Sequence, residues 1–336
     1  MEFRRWIIDG EILDPERGFE PRALRVEVRE DPLTGHTARL LSAAGLLPPQ
    51  DPDELRALGE RTRAGCPFCA ERVEAATPKL PAEIAPEGRI RRGEALLFPN
   101  LLPYARFSSV SVYSPERHVL ALDELTPRLV ADNLAAQVAW ARACVEADPS
   151  AGWVSINANH MLPSGSSIFH PHLQGAVNPV PTTMQRLLAQ VPAGRFRDYL
   201  AHERAEGVRY LGGRARVEWL ASFAPLGPCE LRAFVPGVAS PASLDEETVE
   251  ELGAGVATAA GLYAELRYGS FNLALYGAPP GTDGYPLNLR MICRSSLTPF
   301  YRSDATCLER LHWEAAIDAS PEELARAAGD RFTKPG

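Results

Sequence analysis

The chain has no long apolar run, no excess of positive charge and no cysteine framework, and each absence removes a class of protein. No stretch approaches the roughly 20 apolar residues that span a bilayer. The opening residues MEFRRWIIDGEILDPERGFE hold one short apolar patch broken by Asp9, Glu11 and Asp14, unlike the continuous core of a secretory signal. A cytoplasmic location with no membrane partner is therefore expected. A formal net charge of −8 and a sequence pI near 5.5 argue against a nucleic-acid partner, while leaving room for a local pocket that takes one nucleotide. Six cysteines without an export signal do not form a disulfide scaffold. The phosphate-loop lysine is also missing. Gly253, Gly255 and Gly261 suggest a dinucleotide loop, but Thr258 stands among them and the segment reads as helix interior.

With 336 residues, 45% hydrophobic and 23% charged, the chain suits an ordinary globular core in two domains or one bipartite domain. The opening third reads as strands and loops. Arg39 to Leu47 is apolar, and the loop Pro48-Pro49-Gln50-Asp51-Pro52-Asp53 leads on toward Cys66. Ala95–Pro99 and Ser109–Tyr113 read as paired strands of an antiparallel sheet. Leu129, Val130, Leu134, Val138 and Val145 recur at helical spacing between Thr126 and Glu146, with Pro127 in the first turn. Trp153–Asn157 returns to extended character. A second series follows, with strands at Val217–Leu220, Cys229–Phe234 and Phe271–Tyr276 and a helix from Leu244 to Leu266. Both halves run strands, helix, strands, yet no residue-level repeat relates them.

The densest chemistry lies in His170-Pro171-His172-Leu173-Gln174, just after Ser164-Gly165-Ser166-Ser167. Proline biases its neighbours toward extended backbone, so the two imidazoles are expected on one side of a strand. One can attack a phosphate while the other is held elsewhere. A lone His-x-His is as readily a pair of structural histidines, and the surroundings decide between the two. Cys66-Pro67-Phe68-Cys69 by itself can chelate a metal, act as a redox dithiol or do neither. Cys144, Cys229, Cys293 and Cys307 have no sequence neighbour and read as packing residues. Cys66, Cys69, His118 and His170 together form a Cys₂His₂ set, which suits zinc in a closed, structural shell. Its task would be to lock His170 and so aim His172.

The ordered series Asp31-Pro32-Leu33-Thr34-Gly35, Cys66-Pro67-Phe68-Cys69, Phe98-Pro99-Asn100, Ser114-Pro115-Glu116-Arg117-His118, Gly165 to Gln174 and Gly277-Ala278-Pro279 resembles the galactose-1-phosphate uridylyltransferase family and its relatives in the histidine triad superfamily. The resemblance covers nearly the whole chain. It implies an α+β fold of two histidine-triad-like halves, residues 1–183 and 184–336, each an antiparallel half-barrel with packed helices. By the same resemblance His172 is the nucleophile toward a nucleotide sugar, and a sugar 1-phosphate takes the nucleotidyl group. Gln174 and Ser167 serve the reacting phosphate, with Ser166, Asn100, Asn159, Arg39 and Glu314 as further substrate-binding residues. A homodimer is implied as well.

Two departures from the family pattern stand out. Tyr276, Asn288 and Arg290 occupy positions where many members carry histidine ligands, so a second metal site is expected to be absent. The hexose-binding segment is matched only at Trp313-Glu314, which leaves sugar and base open. Three readings follow: a nucleotidyltransferase exchanging a nucleotide between sugar phosphates; a dinucleoside polyphosphate phosphorylase or hydrolase using the same nucleophile; and a nucleotide-binding protein without catalysis. Retention of His172, Gln174 and both serines favours the enzymes, since binding alone has no need of a positioned nucleophile.

Overall fold

Two long helices lie against one face of a broad antiparallel sheet, and the opposite face carries the polar residues. The computed structural model describes residues 1–41, 48–214, 216–297 and 304–333; the part of the apolar Arg39–Leu47 stretch from 42 to 47 lies outside them. The N-terminal elements are β1 (Arg5–Asp14), β2 (Glu20–Glu30), β3 (Thr37–Leu41), α1 (Pro52–Arg63) and α2 (Val73–Ala76). Next come β4 (Ile90–Arg92), β5 (Ala95–Pro99), β6 (Phe107–Val112), α3 (Pro127–Ala147), β7 (Trp153–His160) and β8 (His172–Asn178). The second half holds α4 (Thr183–Ala189), α5 (Arg195–Glu206), β9 (Tyr210–Arg214), β10 (Val217–Ala221), β11 (Leu231–Val235), α6 (Glu246–Glu265), β12 (Ser270–Tyr276) and β13 (Leu287–Arg294). The chain closes with α7 (Cys307–His312), β14 (Ala315–Ile317) and α8 (Pro321–Ala328).

The ten-stranded sheet runs β4-β5-β6-β8-β7-β12-β13-β11-β10-β9. Its two ends repeat one pattern in mirror order, hairpin, helix, hairpin, and meet where β7 pairs with β12 antiparallel. The two expected half-barrels are thus joined edge to edge. The expected helices form where their caps direct. The Thr126 side chain accepts from the Leu129 amide with Pro127 in the first turn, and the Asp245 carboxylate accepts from the Thr248 amide at the start of α6. α6 packs closely on α3 at Gly253 and on β10 at Gly255 because neither residue carries a side chain. A Cβ at Gly255 would stand 2.3 Å from the Trp219 ring, and one at Gly253 would stand 2.8 Å from the Ala131 backbone. Gly253 and Gly255 are therefore packing residues, whereas a Cβ at Gly261 would meet open space.

α1 is an element the sequence reading passed over as loop. Asp51 caps it, with Pro52 in its first turn, but only Leu55 and Gly59 are buried along it, so its apolar stripe is too thin for periodicity to show. The four-stranded sheet β1-β2-β3-β14 joins the first strands of the chain to one of the last. Residues 5–41 consequently pack with the C-terminal half, across the 183/184 division expected from sequence. Among the described residues no helix is long and apolar enough to cross a membrane.

Candidate active site and metal centre

Register places Gln174, Asn157, Arg290 and Arg232 on a single face of the large sheet. Gln174 on β8 lies opposite Asn157 on β7, Asn157 opposite Ala274 on β12, Ala274 opposite Arg290 on β13, and Arg290 opposite Arg232 on β11. The alternate residues Leu173, Ile156, Leu273, Leu289 and Ala233 are buried in the core beneath α3 and α6. Period-2 alternation thus separates a dry helix-packed side from a functional side. Ser109 and Ser111 of β6 belong to the helix side, where the Gln137 carboxamide of α3 bonds both hydroxyls at 2.9 and 2.7 Å. Gly175 lets that helix approach, since a Cβ there would stand 2.3 Å from Gln137 Oε1.

The Cys-x-x-Cys knuckle follows α1 and covers β5 and β6 on the functional side, with Cys66, Phe68, Cys69, Phe98, Val110 and Val112 in one buried cluster. Cys66, Cys69, His118 and His170 bring their ligand atoms within 4.8 Å of one another, all four residues being buried. Cys69 Sγ lies 3.3 Å from His118 Nδ1 and 3.7 Å from His170 Nδ1, and Cys66 Sγ lies 3.8 Å from His170 Nδ1. A tetrahedral zinc with arms of about 2.0–2.3 Å has edges of about 3.3–3.8 Å, so these separations fit. The far nitrogens are also satisfied. His118 Nε2 meets Gly59 O at 3.1 Å and Thr62 Oγ1 at 2.9 Å, and His170 Nε2 donates to Ser114 O at 2.9 Å. Protons held on Nε2 leave the Nδ1 lone pairs facing the centre, as metal ligands require. Burial pushes the Cys69 thiol up to about 12, with the Cys66 sulfur adding to the rise; a divalent cation reverses that balance by taking sulfur as thiolate. Burial holds His170 down near 4, which keeps it neutral.

His172 opens β8, two residues beyond the ligand His170. Its Nδ1 lies 2.8 Å from the His170 carbonyl oxygen, which can only accept, so Nδ1 carries the proton and Nε2 carries the lone pair. Burial lowers its proton affinity while the bond to His170 opposes that shift, and a neutral imidazole is the nucleophilic form. The Phe68 ring of the knuckle stands edge-on to it at 5.4 Å and to His170 at 6.1 Å. One short segment therefore carries both the candidate metal ligand His170 and the candidate nucleophile His172. Gly165, at φ +95°, turns the chain between β7 and the exposed Ser167, and Ser166 donates to Ile168 O at 2.6 Å.

Asn159 on β7 accepts from Asn272 Nδ2 at 2.7 Å, and the same amide group donates to Ser164 O at 2.8 Å. Asn272 and Asn157 are functional-face residues that motif reading missed. Their only sequence signal was position within alternating strands, and their significance depends on cross-strand register. Asn157 Nδ2 donates to Ser155 Oγ at 3.1 Å. Asn100 lies at the end of β5, where Oδ1 accepts from the Leu102 amide at 3.0 Å.

Arg39 and Glu314 belong to the other sheet and engage each other. Arg39 Nε donates to Glu314 Oε2 at 2.5 Å, and Thr37 Oγ1 donates to Glu314 Oε1 at 2.5 Å. The structure does not bring this pair together with His172 within one sheet. In the C-terminal half Arg290 Nη1 donates to Glu230 Oε1 at 2.6 Å, and Arg232 Nη1 donates to Asp31 Oδ2 at 2.9 Å. These side chains are buried, Arg232 and Asp31 completely. A guanidinium at position 290, with Tyr276 and Asn288 nearby, offers no imidazole donors and does not fit a second metal of the Cys₂His₂ kind.

An antiparallel double half-barrel, with the strand that begins at His172 beside a Cys₂His₂ cluster, is the fold expected of the galactose-1-phosphate uridylyltransferase plan. Solved structures agree. An ADP-glucose phosphorylase from Arabidopsis thaliana, with bound ADP-glucose, superposes with a TM-score of 0.65 at 16% identity, over 90% of this chain and 97% of that one. A uridylyltransferase superposes with a TM-score of 0.61 at 20% identity, over 91% and 98% of the two chains. No family model matches the sequence. Over 334 residues the chain is 30% identical to an uncharacterized protein of Archaeoglobus fulgidus, covering 97% of each. The chain belongs to one family with that protein, and its fold is that of the ADP-glucose phosphorylase and uridylyltransferase structures.

Proposed function

We propose that this protein is a nucleotidyltransferase in which His172 Nε2 attacks the α-phosphorus of a nucleoside diphosphate sugar. The observation that carries this reading is the 2.8 Å contact of His172 Nδ1 with the His170 carbonyl, which makes Nε2 the basic nitrogen and holds the ring in place. Attack forms a P–N bond and breaks the P–O bond to the leaving sugar 1-phosphate. A phosphate oxygen of a second sugar 1-phosphate then attacks the same phosphorus, forming P–O and releasing neutral His172. The covalent intermediate divides one difficult transfer into two easier ones. Gln174, on the same strand face, donates its amide to a non-bridging oxygen as charge shifts during displacement, and Ser167 and Ser166 hold the departing phosphate. Asn100 and Asn159 bind the nucleotide part. Zinc held by Cys66, Cys69, His118 and His170 supplies rigidity rather than chemistry, because four protein ligands leave no position for substrate.

A second reading, with inorganic phosphate as the acceptor, is favoured by the mutual engagement of Glu314 with Arg39 and Thr37, which leaves fewer groups for a sugar acceptor. It also suits the likeness to an ADP-glucose phosphorylase. Intact-mass spectrometry after incubation with UDP, ADP and GDP sugars and diadenosine polyphosphate tests both. A gain of one nucleotidyl group, absent in His172→Asn, is expected and names the base. Discharge of that adduct by sugar 1-phosphate or by inorganic phosphate then separates transferase from phosphorylase. Donor turnover that persists in His172→Asn would overturn the assignment.

A further inference from the structure

Asn272 reaches the row of His172 from the other half of the molecule. One step beyond the Ala158–Leu173 pair, His172 at the start of β8 falls opposite Asn159 on β7, and Asn159 pairs in turn with Asn272 on β12. Residues directly opposite on one sheet face stand about 5 Å apart at Cβ. A phosphate at His172 Nε2 is therefore within reach of the Asn159 amide, which on its other flank touches Asn272. His172 and Asn159 belong to the first half of the chain and Asn272 to the second, and the pairing of β7 with β12 brings them together.

A chain of donors and acceptors decides which end of the Asn159 amide is left for a ligand. The Ser164 carbonyl oxygen can only accept, so the Asn272 atom 2.8 Å from it is the amide nitrogen. That nitrogen also stands 2.7 Å from the Asn159 side chain, and an N–H group there requires the Asn159 oxygen to face it. With Oδ1 taken, the two N–H bonds of Asn159 Nδ2 turn away from Asn272. The anchor of this chain is a tightly fixed turn. Met161 holds a left-handed φ of +68° and Gly165 one of +95°, and between them the Ser164 hydroxyl donates to Met161 O at 2.7 Å. A left-handed backbone at a residue other than glycine persists only where its surroundings over-determine it. We infer that Asn272 is a positioning residue for nucleotidyl transfer, an inference that rests on the reading of His172 as nucleophile. Held by Ser164, its amide fixes Asn159 with N–H groups outward, as donors to a non-bridging phosphate oxygen, where the reverse orientation would repel that oxygen. The second half of the chain thereby completes a site whose nucleophile lies in the first.

Asn272→Asp tests the polarity at constant shape. A carboxylate cannot donate to Ser164 O, and it draws the Asn159 N–H groups toward itself, turning the Asn159 oxygen to the phosphate. The rate of nucleotidyl-adduct formation at saturating ADP-, UDP- or GDP-glucose, whichever charges the wild type, is expected to fall about thirtyfold or more. Asn272→Ala, which leaves Asn159 free to rotate, is expected to cost about tenfold, with zinc content and melting temperature confirming that both variants are folded. A double-mutant cycle separates positioning from packing. Once Asn159→Ala has removed the amide, adding Asn272→Ala is expected to slow the adduct by less than about threefold. Losses that multiply in the double variant, or Asn272 variants that charge at the wild-type rate while His172→Asn does not charge at all, defeat this proposal and leave the nucleophile standing. Donor turnover that survives in His172→Asn defeats the transfer reading and this proposal with it.

Discussion

At the scale of single residues, Asp31 shows how one carboxylate does several tasks at once. Its Oδ1 accepts from the Leu33 and Thr34 amides at 2.9 Å each, shaping the Asp-Pro-Leu-Thr-Gly turn, while Oδ2 takes the Arg232 guanidinium. Burial opposes its charge, but Arg232, His36 and Arg290 together with the Thr34 amide prevail and hold its pKa well below the usual carboxylate range. A depressed folded pKa means that the stability contributed by Asp31 is complete above the unfolded value near 4 and is lost as pH falls through the folded value. Asp31→Asn, which leaves Arg232 buried without its counter-charge, is expected to cost about 3–5 kcal/mol. In urea unfolding the gap between wild type and variant should be constant from pH 7 to 5 and shrink only under stronger acid; a gap that closes between pH 7 and 5 contradicts this account.

At the scale of elements, the Cys-x-x-Cys knuckle and the strand of the proposed nucleophile form one unit, because His170 ends the loop and His172 begins β8. Cys66→Ser is expected to lower bound zinc, melting temperature and nucleotidyl-adduct yield together, and a strong chelator should reproduce all three effects in the wild type. Metal analysis alongside thermal unfolding is the check, and a variant that loses zinc yet melts like wild type would detach the knuckle from the fold. The packing of α6 on β10 offers a second test. Gly255→Ala drives a methyl into Trp219 and is expected to cost about 1–3 kcal/mol by overpacking, read as a lower urea midpoint with unchanged zinc content. α1 escaped the sequence reading and yet sits under the metal site, since its Gly59 carbonyl and Thr62 hydroxyl hold His118. A helix recruited for two polar contacts carries little hydrophobic signal.

At the scale of the whole molecule, the order of strands and helices shows twice in the sequence, but the joining of the halves does not. β7 meets β12 across more than a hundred intervening residues, and that pairing brings Asn272 to Asn159. The N-terminal strands cross to the C-terminal half through β14, carrying Arg39 to Glu314. These are consequences of sheet closure, for which local pattern holds no information.

The sequence by itself marked out the candidate ligands and the candidate nucleophile. Cys66, Cys69, His118, His170 and His172 are recognisable because metal chemistry and nucleophilic attack restrict residue type and short spacing, and the long helices are recognisable because their caps and apolar stripes are local. Tertiary structure alone decided which polar residues share a face, which charges neutralise one another in the C-terminal half, and that Trp6, Ile7, Ile8, Ile12 and Leu13 of β1 are left exposed. Register and burial arise between segments far apart in the chain, where the free energy of one residue depends on neighbours that its own segment does not contain.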